Sequence, residues 1–236
     1  MEALAIVPAR GGSKRVPGKN VRNLLGKPSL AYTITAALES RLFQRVIVST
    51  DNIEIAAVAR RYGAEVPFLR NAILADDHTP VSSVTVDALE RIDPAGTEYH
   101  HVAQLMPNCP LRTHRDVQDS YYQFVDTGAE SQISVTRFGW LNPWWAARRS
   151  ELFELKPIFE DQVNERSQDL PVLFCPTGAI WWARTDVLRR EKTFHIQNRT
   201  GWEIPWQRAV DIDTEDDWEM AELLMQMSQR VLETHV

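Results

Sequence analysis

A basic, glycine-rich loop near the start of the chain holds the residues best suited to chemistry. It follows a short apolar strand, predicted from Ala3 to Val7. Glycines let backbone N–H groups converge on an anion, which a Cβ would hinder, and neighbouring cations neutralise phosphate oxygens. The loop therefore predicts a polyphosphate site. Its three glycines and four cations are Arg10, Gly11, Gly12, Lys14, Arg15, Gly18 and Lys19.

The loop matches neither of two common phosphate-binding motifs. It lacks the Gly-Lys-Ser/Thr of a Walker A sequence and the Gly-x-Gly-x-x-Gly of a dinucleotide site. A solvated surface loop of the same composition is the alternative interpretation. Its position favours a ligand, because open α/β sheets bind ligands at the carboxyl ends of their strands.

A second candidate site is the Asp211-Ile212-Asp213 sequence near the other end of the chain. A strand is predicted from Ala209 to Ile212, so both carboxylates would project to one face. Paired carboxylates suit Mg²⁺, which takes oxygen ligands and commonly bridges to phosphates. The alternative is that Asp213 only begins the following turn and helix. Together with the loop, the pair indicates nucleotidyl transfer: a substrate oxygen attacks the α-phosphate and pyrophosphate leaves.

Strands and helices alternate through the first half, which predicts a parallel or mostly parallel sheet. The later part differs, since seven of the eight tryptophans lie between Trp140 and Trp206 with little helical periodicity. Such a cluster suits core packing, a sugar site or a subunit interface. The predicted helices begin near Pro28, Ile55, Val81, His114 and Thr214, and the predicted strands cover 45–50, 101–106 and 132–136.

Composition excludes several classes of function. A formal net charge of −6 argues against a general nucleic-acid binder. Cys109 and Cys175 lie far apart, so they form no metal-binding pair and require no oxidising compartment. No apolar run approaches the ~20 residues of a membrane span, and no signal peptide is visible. A cytoplasmic location without membrane association is the expectation.

Ordered sequence blocks show what the chain is similar to. It resembles the acylneuraminate cytidylyltransferase family, whose members join CMP to sialic, legionaminic or pseudaminic acid. The resemblance covers essentially the whole chain, because the blocks follow the family's order from end to end. They are 8–20, Val48 to Asp51, Pro67 to Arg70, Leu74 to Asp77, Pro110 to Arg112, Arg166 to Pro171, Gly178 to Ile180 and Asp211 to Thr214.

The resemblance implies a Rossmann-like α/β nucleotidyltransferase fold, with a mostly parallel central sheet flanked by helices and a small dimerisation arm. One domain would span residues 1–236, with a tryptophan-rich substrate and dimerisation segment at about 138–207. CTP would be the donor, Mg²⁺ the cofactor and a nonulosonic acid the acceptor, for surface glycan synthesis. A homodimer is implied, its arm lying near Phe194 to Trp206.

The resemblance also assigns roles to residues. Arg10, Lys14 and Lys19 would hold the triphosphate and act in catalysis, and Asp211 and Asp213 would hold the metal. The acceptor would contact Arg166, Gln168, Thr177 and Trp181. The implied nucleotide-binding residues are Ala9, Arg10, Gly11, Gly12, Ser13, Lys14, Lys19, Asn20, Arg70, Ser82 and Met106.

Three departures from the family pattern leave the substrate open. Met106 replaces a family glutamine and cannot supply its hydrogen bonds. Thr177 replaces an asparagine, and a family serine falls at Val81, beside Ser82. Two alternatives to a nonulosonic acid cytidylyltransferase therefore stay open. One is a nucleotidyltransferase for another sugar or triphosphate, and the other is a nucleotide-binding relative without catalysis.

Overall fold

A computed structural model describes residues 2–76 and 79–233. Asp77, the last residue of one family block, lies outside the described residues. The helices are α1 (Ser29–Ser40), α2 (Ile53–Arg61), α3 (Val81–Ile92), α4 (His114–Asp126), α5 (Thr185–Glu191) and α6 (Glu215–Glu233). The strands are β1 (Ala3–Pro8), β2 (Asn23–Leu24), β3 (Lys27–Pro28), β4 (Arg45–Ser49), β5 (His101–Gln104), β6 (Ser131–Arg137), β7 (Ala147–Arg149), β8 (Leu155–Pro157), β9 (Phe174–Arg184) and β10 (Thr200–Glu203).

Six strands form the central sheet in the order β10-β6-β9-β5-β1-β4. β1 pairs in parallel with β4 and β5, and β10 pairs in parallel with β6. β9 is antiparallel to both β5 and β6. The sheet is therefore mixed but mostly parallel, which confirms the predicted fold class.

Side chains of β1 enter the cores on both faces of the sheet. Ala3, Ala5 and Val7 pack with residues of α1, α2 and α4 on one face. Leu4 and Ile6 pack with residues of α3 and α5 on the other. Because a strand buried on both faces is apolar at every position, the run Ala3–Pro8 carries no polar residue. The two helical layers hold β1 rigidly, so the loop that follows it has a fixed starting point.

The prediction of a strand from Ala209 to Ile212 is wrong. This segment belongs to no strand. It is anchored instead by the Ile212 amide, which donates to the Asn108 carbonyl oxygen at 2.9 Å, and by burial of the Ile212 side chain beside Trp218. Asp211 and Asp213, which flank the buried Ile212, are both partly exposed.

The tryptophan-rich region divides into buried and exposed parts. Trp182 of β9 is fully buried and donates from Nε1 to Ser120 Oγ at 3.0 Å. β10, which lies between Phe194 and Trp206, forms an edge strand of the chain's own central sheet. Residues 138–174 include the separate hairpin β7–β8 and many exposed apolar side chains, among them Trp140, Leu141, Leu152, Phe153 and Leu155.

Within the residues that the structure describes, no helix combines the length and apolar character that crossing a bilayer requires.

Candidate active site

A cavity of about 250 Å³ opens beyond the carboxyl ends of β1 and β5. Its walls are the glycine-rich loop, the segment before α3, the first turn of α3, the residues after β5 and Asp213. Eight of the predicted site residues line it. They are Arg10, Ser13, Lys14, Lys19, Asn20, Arg70, Met106 and Asp213.

A hydrogen bond and a close approach to α2 restrain the first part of the loop. The Gly11 amide donates to Asp51 Oδ1 at 2.9 Å. A Cβ at Gly11 would lie 3.0 Å from the Cβ of Asn52, so the close approach of loop and α2 requires glycine here. Gly18 has a φ of +66°, a backbone conformation that residues with a Cβ rarely adopt. The loop is therefore held in one shape before a ligand arrives.

Asn20 connects the two ends of the loop and leaves one acceptor towards the cavity. The side chain is only 3% exposed, and its Nδ2 donates to the Arg10 carbonyl oxygen at 2.9 Å. Its Oδ1 has no hydrogen-bond partner among the residues that the structure describes. A buried carbonyl oxygen without a partner is costly, so this atom is suited to accept a hydrogen bond from a ligand.

Two neighbouring arginines, Arg70 and the loop residue Arg10, supply further positive charge to the cavity. Arg70 is 6% exposed, and its Nε donates to Ser49 Oγ at 3.3 Å. Burial lowers the pKa of Arg70 to about 10, with Arg10 adding repulsion and Asp51 opposing it. Arg10 donates from Nη1 to the Asp76 carbonyl oxygen at 2.7 Å. An anion would stabilise the buried Arg70 beside Arg10, so this part of the cavity is suited to phosphate.

The acidic end of the site lies against the loop. Lys19 donates from Nζ to the Ile212 carbonyl oxygen at 2.7 Å and lies 3.2 Å from Asp213 Oδ1. Asp211 accepts a hydrogen bond from Asn108 Nδ2. Burial, followed by the nearby charge of Asp213, raises the pKa of Asp211 to about 6. The two carboxylates thus repel each other inside a partly desolvated corner.

The donor set of this corner fits a divalent cation that prefers oxygen. Asp211 and Asp213 offer carboxylate oxygens, and the buried Asn108 Oδ1 has no hydrogen-bond partner in residues 2–76 and 79–233. Over the same residues, no group of three or more His, Cys, Asp or Glu side chains is placed to hold a metal. Two protein carboxylates, with the remaining positions left to phosphate and water, are typical of Mg²⁺.

Asp211 should make the stability of the metal-free protein depend on pH. Its folded pKa of about 6 exceeds the ordinary value of 3.8, so the folded state holds the proton more tightly. The stability that protonated Asp211 contributes to the folded state is fully present below pH 3.8 and is lost as pH rises through about 6. We expect Asp211→Asn to raise the Tm of metal-free protein at pH 7.5 and to leave it nearly unchanged at pH 3.5. Thermal melts at both values, in the presence of EDTA, measure this difference; equal shifts at both would contradict it.

Some predicted nucleotide residues lie behind the cavity wall. Ala9 is buried, and its amide donates to the Ser49 carbonyl oxygen at 2.9 Å. Gly11 lines a small neighbouring cavity, and Gly12 does not line the main one. Ser82 is buried in α3, whereas Val81 and Val84 face the cavity. The structure therefore does not bring the Ser82 side chain to the site, because the helix turns it into the core.

The predicted acceptor residues do not line this cavity in the single chain. Arg166 and Gln168 are exposed, and Arg166 Nε lies 2.7 Å from Asp169 Oδ2. Thr177 is buried, with its hydroxyl 2.7 Å from Ser134 Oγ. Trp181 donates from Nε1 to the Thr177 carbonyl oxygen at 2.6 Å. Thr177 and Trp181 thus support β9, while Arg166 and Gln168 lie on the region that carries the hairpin.

Two residues that the sequence reasoning missed contact the acidic corner. Asn108 binds Asp211 through its side chain and Ile212 through its backbone. A Cβ at Gly178 would lie 3.0 Å from Met106 Cγ and 3.3 Å from Asp211 Oδ2. Gly178 lies in a family block, but nothing in its local sequence indicates a close approach to residues distant in the chain.

Cytidylyltransferases are among the known proteins to which the chain is similar. A family model described as Cytidylyltransferase matches residues 4–105. A pseudaminic acid cytidylyltransferase of Campylobacter jejuni is 32% identical over 231 residues, covering 97% of this chain and 98% of the relative. A CMP-N,N'-diacetyllegionaminic acid synthase of Legionella pneumophila is 34% identical over 240 residues, covering 98% of this chain and 100% of the relative.

A solved structure shares the fold. The synthetase of CMP-2-keto-3-deoxy-manno-octonic acid, complexed with CTP, superposes with a TM-score of 0.71 at 18% identity, covering 96% of this chain and 99% of that one. Fold, phosphate loop and acidic corner together define a nucleotidyltransferase. The chain belongs to the acylneuraminate cytidylyltransferase family, as its ordered sequence blocks predict.

Proposed function

We propose that this enzyme transfers CMP from CTP to a nonulosonic acid and releases pyrophosphate. The observation that carries the proposal is one cavity lined by Arg10, Lys14, Lys19 and Arg70, with Asp213 at its edge and Asp211 beside it. Cations on one side and carboxylates on the other suit a triphosphate and its divalent cation. Two full-length relatives named for pseudaminic and legionaminic acid support this class of acceptor.

In the reaction, an acceptor hydroxyl oxygen bonds to the α-phosphorus and the bond to the bridging β-phosphate oxygen breaks. The loop cations bind the departing pyrophosphate, whose charge grows in the transition state. Arg70, with the neighbouring Arg10 of the loop, orients the nucleotide. Asp211 and Asp213 would hold Mg²⁺, which supplies charge neutralisation at the phosphate oxygens. Positioning and electrostatic stabilisation account for most of the rate enhancement.

The proposed acceptor residues lie outside the cavity of the single chain. Arg166 and Gln168 remain the proposed contacts for its carboxylate and hydroxyls, and Thr177 and Trp181 the proposed supports. We propose a homodimer in which residues 138–174 of one subunit cover the site of the other. Exposed apolar side chains concentrated in this range support an intersubunit surface.

A second candidate is a related reaction with another triphosphate. Met106, Val81, Val84 and Leu74 give part of the cavity an apolar lining. Apolar side chains cannot read the hydrogen-bonding edge of a base, so discrimination between pyrimidines would rest on other groups. The apolar lining therefore supports, as the alternative function, an enzyme that selects only weakly between CTP and UTP.

A substrate matrix separates these candidates. The four ribonucleoside triphosphates are combined with pseudaminic, legionaminic and sialic acids, with and without Mg²⁺, and pyrophosphate release is followed. The proposal expects release only when CTP, Mg²⁺ and one of the acids are all present. Comparable rates with UTP would favour the second candidate, and no release with CTP and any acid would contradict the proposal.

A further inference from the structure

Asp213 is held by two cations, one on each carboxylate oxygen. Lys19 Nζ lies 3.2 Å from Oδ1, and Arg15 Nη2 lies 2.8 Å from Oδ2. Both oxygens of a proposed metal ligand are therefore already neutralised by the chain's own side chains. A divalent cation that binds Asp213 therefore competes with these ion pairs for the carboxylate oxygens.

The two cations differ in how firmly they are held. The Lys19 side chain is 17% exposed, and its Nζ also donates to the Ile212 carbonyl oxygen. The Arg15 side chain is 66% exposed and lines the cavity. Arg15 can therefore rotate away from Oδ2 without opening a buried hydrogen bond, whereas Lys19 cannot.

A triphosphate provides the alternative partner that Arg15 needs. The guanidinium lies on the loop that faces the proposed phosphate position, and arginine pairs well with phosphate oxygens. Moving from Asp213 to a phosphate would leave Oδ2 free for the metal. The same event would place positive charge on the triphosphate.

We propose that Arg15 is a positioning residue that occupies the metal-binding oxygen of Asp213 until a triphosphate draws it away. This role rests on the proposed function, because it takes Asp213 as a ligand of the divalent cation. It couples the two ligands: the metal binds poorly before the nucleotide, and each strengthens the binding of the other by the same factor. Premature metal binding is thereby suppressed.

Binding of Mn²⁺, measured by electron paramagnetic resonance without acceptor, tests this role. Without CTP, we expect Arg15→Gln to bind Mn²⁺ about two- to fivefold more tightly than the original chain, the range for an exposed ion pair. At saturating CTP the two Kd values should approach each other, so the coupling factor falls in the variant. Arg15→Lys should restore weak binding, and 0.5 M KCl should reduce the difference.

A matched control lies on the same side of the molecule. Arg22 Nη1 lies 2.8 Å from Glu215 Oε2, also in a partly exposed ion pair, and Arg22 does not line the cavity. Arg22→Gln should leave the Mn²⁺ Kd unchanged. Equal Kd values for Arg15→Gln and the original chain without CTP would overturn the inference. Because no acceptor is present, this result is independent of the substrate matrix, whose failure would overturn the proposed reaction instead.

Discussion

Replacement of Lys19 by alanine is expected to lower kcat by about 10² or more while the protein remains folded. This is the scale for losing one electrostatic stabiliser of a transition state. Lys19 lies where the loop meets the acidic corner, with its Nζ bound to the Ile212 carbonyl oxygen and to Asp213. Its loss removes positive charge from the cavity and frees Asp213 to repel phosphate. Pyrophosphate release at saturating CTP and acceptor measures the effect.

Lys27→Ala is the matched control for this change. Lys27 is an exposed lysine of β3 and does not line the cavity. It should retain kcat within about twofold, since a surface substitution away from the site is nearly neutral. Near-normal kcat for Lys19→Ala, with an unchanged Tm in both variants, would show that the loop does not act in the reaction.

The second large effect is expected for Asp211→Asn, again a loss of about 10² or more in kcat. An amide keeps the size of the side chain and one oxygen but removes the charge that would hold the proposed divalent cation. Because burial raises the pKa of Asp211, removing this charge should not destabilise the fold at neutral pH. The expected result is therefore low turnover in a protein at least as stable as the original chain.

Asp216→Asn separates this effect from a general loss of negative charge. Asp216 is exposed in the first turn of α6, five residues along the chain from Asp211. It should keep kcat and show an unchanged requirement for Mg²⁺. If Asp211→Asn also keeps the original kcat and the original requirement for Mg²⁺, Asp211 holds no metal that the reaction needs.

Local sequence was sufficient to predict the phosphate loop and most of the sheet. The run from Ala3 to Val7 is apolar throughout, because β1 is buried on both faces, and the turn after it is marked by Gly11 and Gly12. Helix signals were equally local, as at His114, where α4 begins as predicted. Short-range patterns therefore place the loop residues that we propose to hold a triphosphate.

Features set by long-range contacts were not predictable in this way. The 209–212 segment has a strand-like sequence, yet it bonds to Asn108 and packs on α6 instead of joining a sheet. Side-chain direction in α3 turns Ser82 inward and Val81 to the cavity, which depends on how the helix packs. Nor could the sequence show that Gly178 approaches Asp211, since 33 positions separate them and β9 brings them together.

The central claim is that the phosphate loop and the acidic corner transfer the CMP group of CTP to a sugar acid. Its most direct test follows two labelled samples of CTP, one carrying ³²P at the α-position and the other at the γ-position, with Mg²⁺ and the best acceptor of the matrix. We predict that the α-label appears in a CMP-sugar and that the γ-label appears only in pyrophosphate. Release of the γ-label as orthophosphate, with the α-label remaining in CDP, would contradict the account.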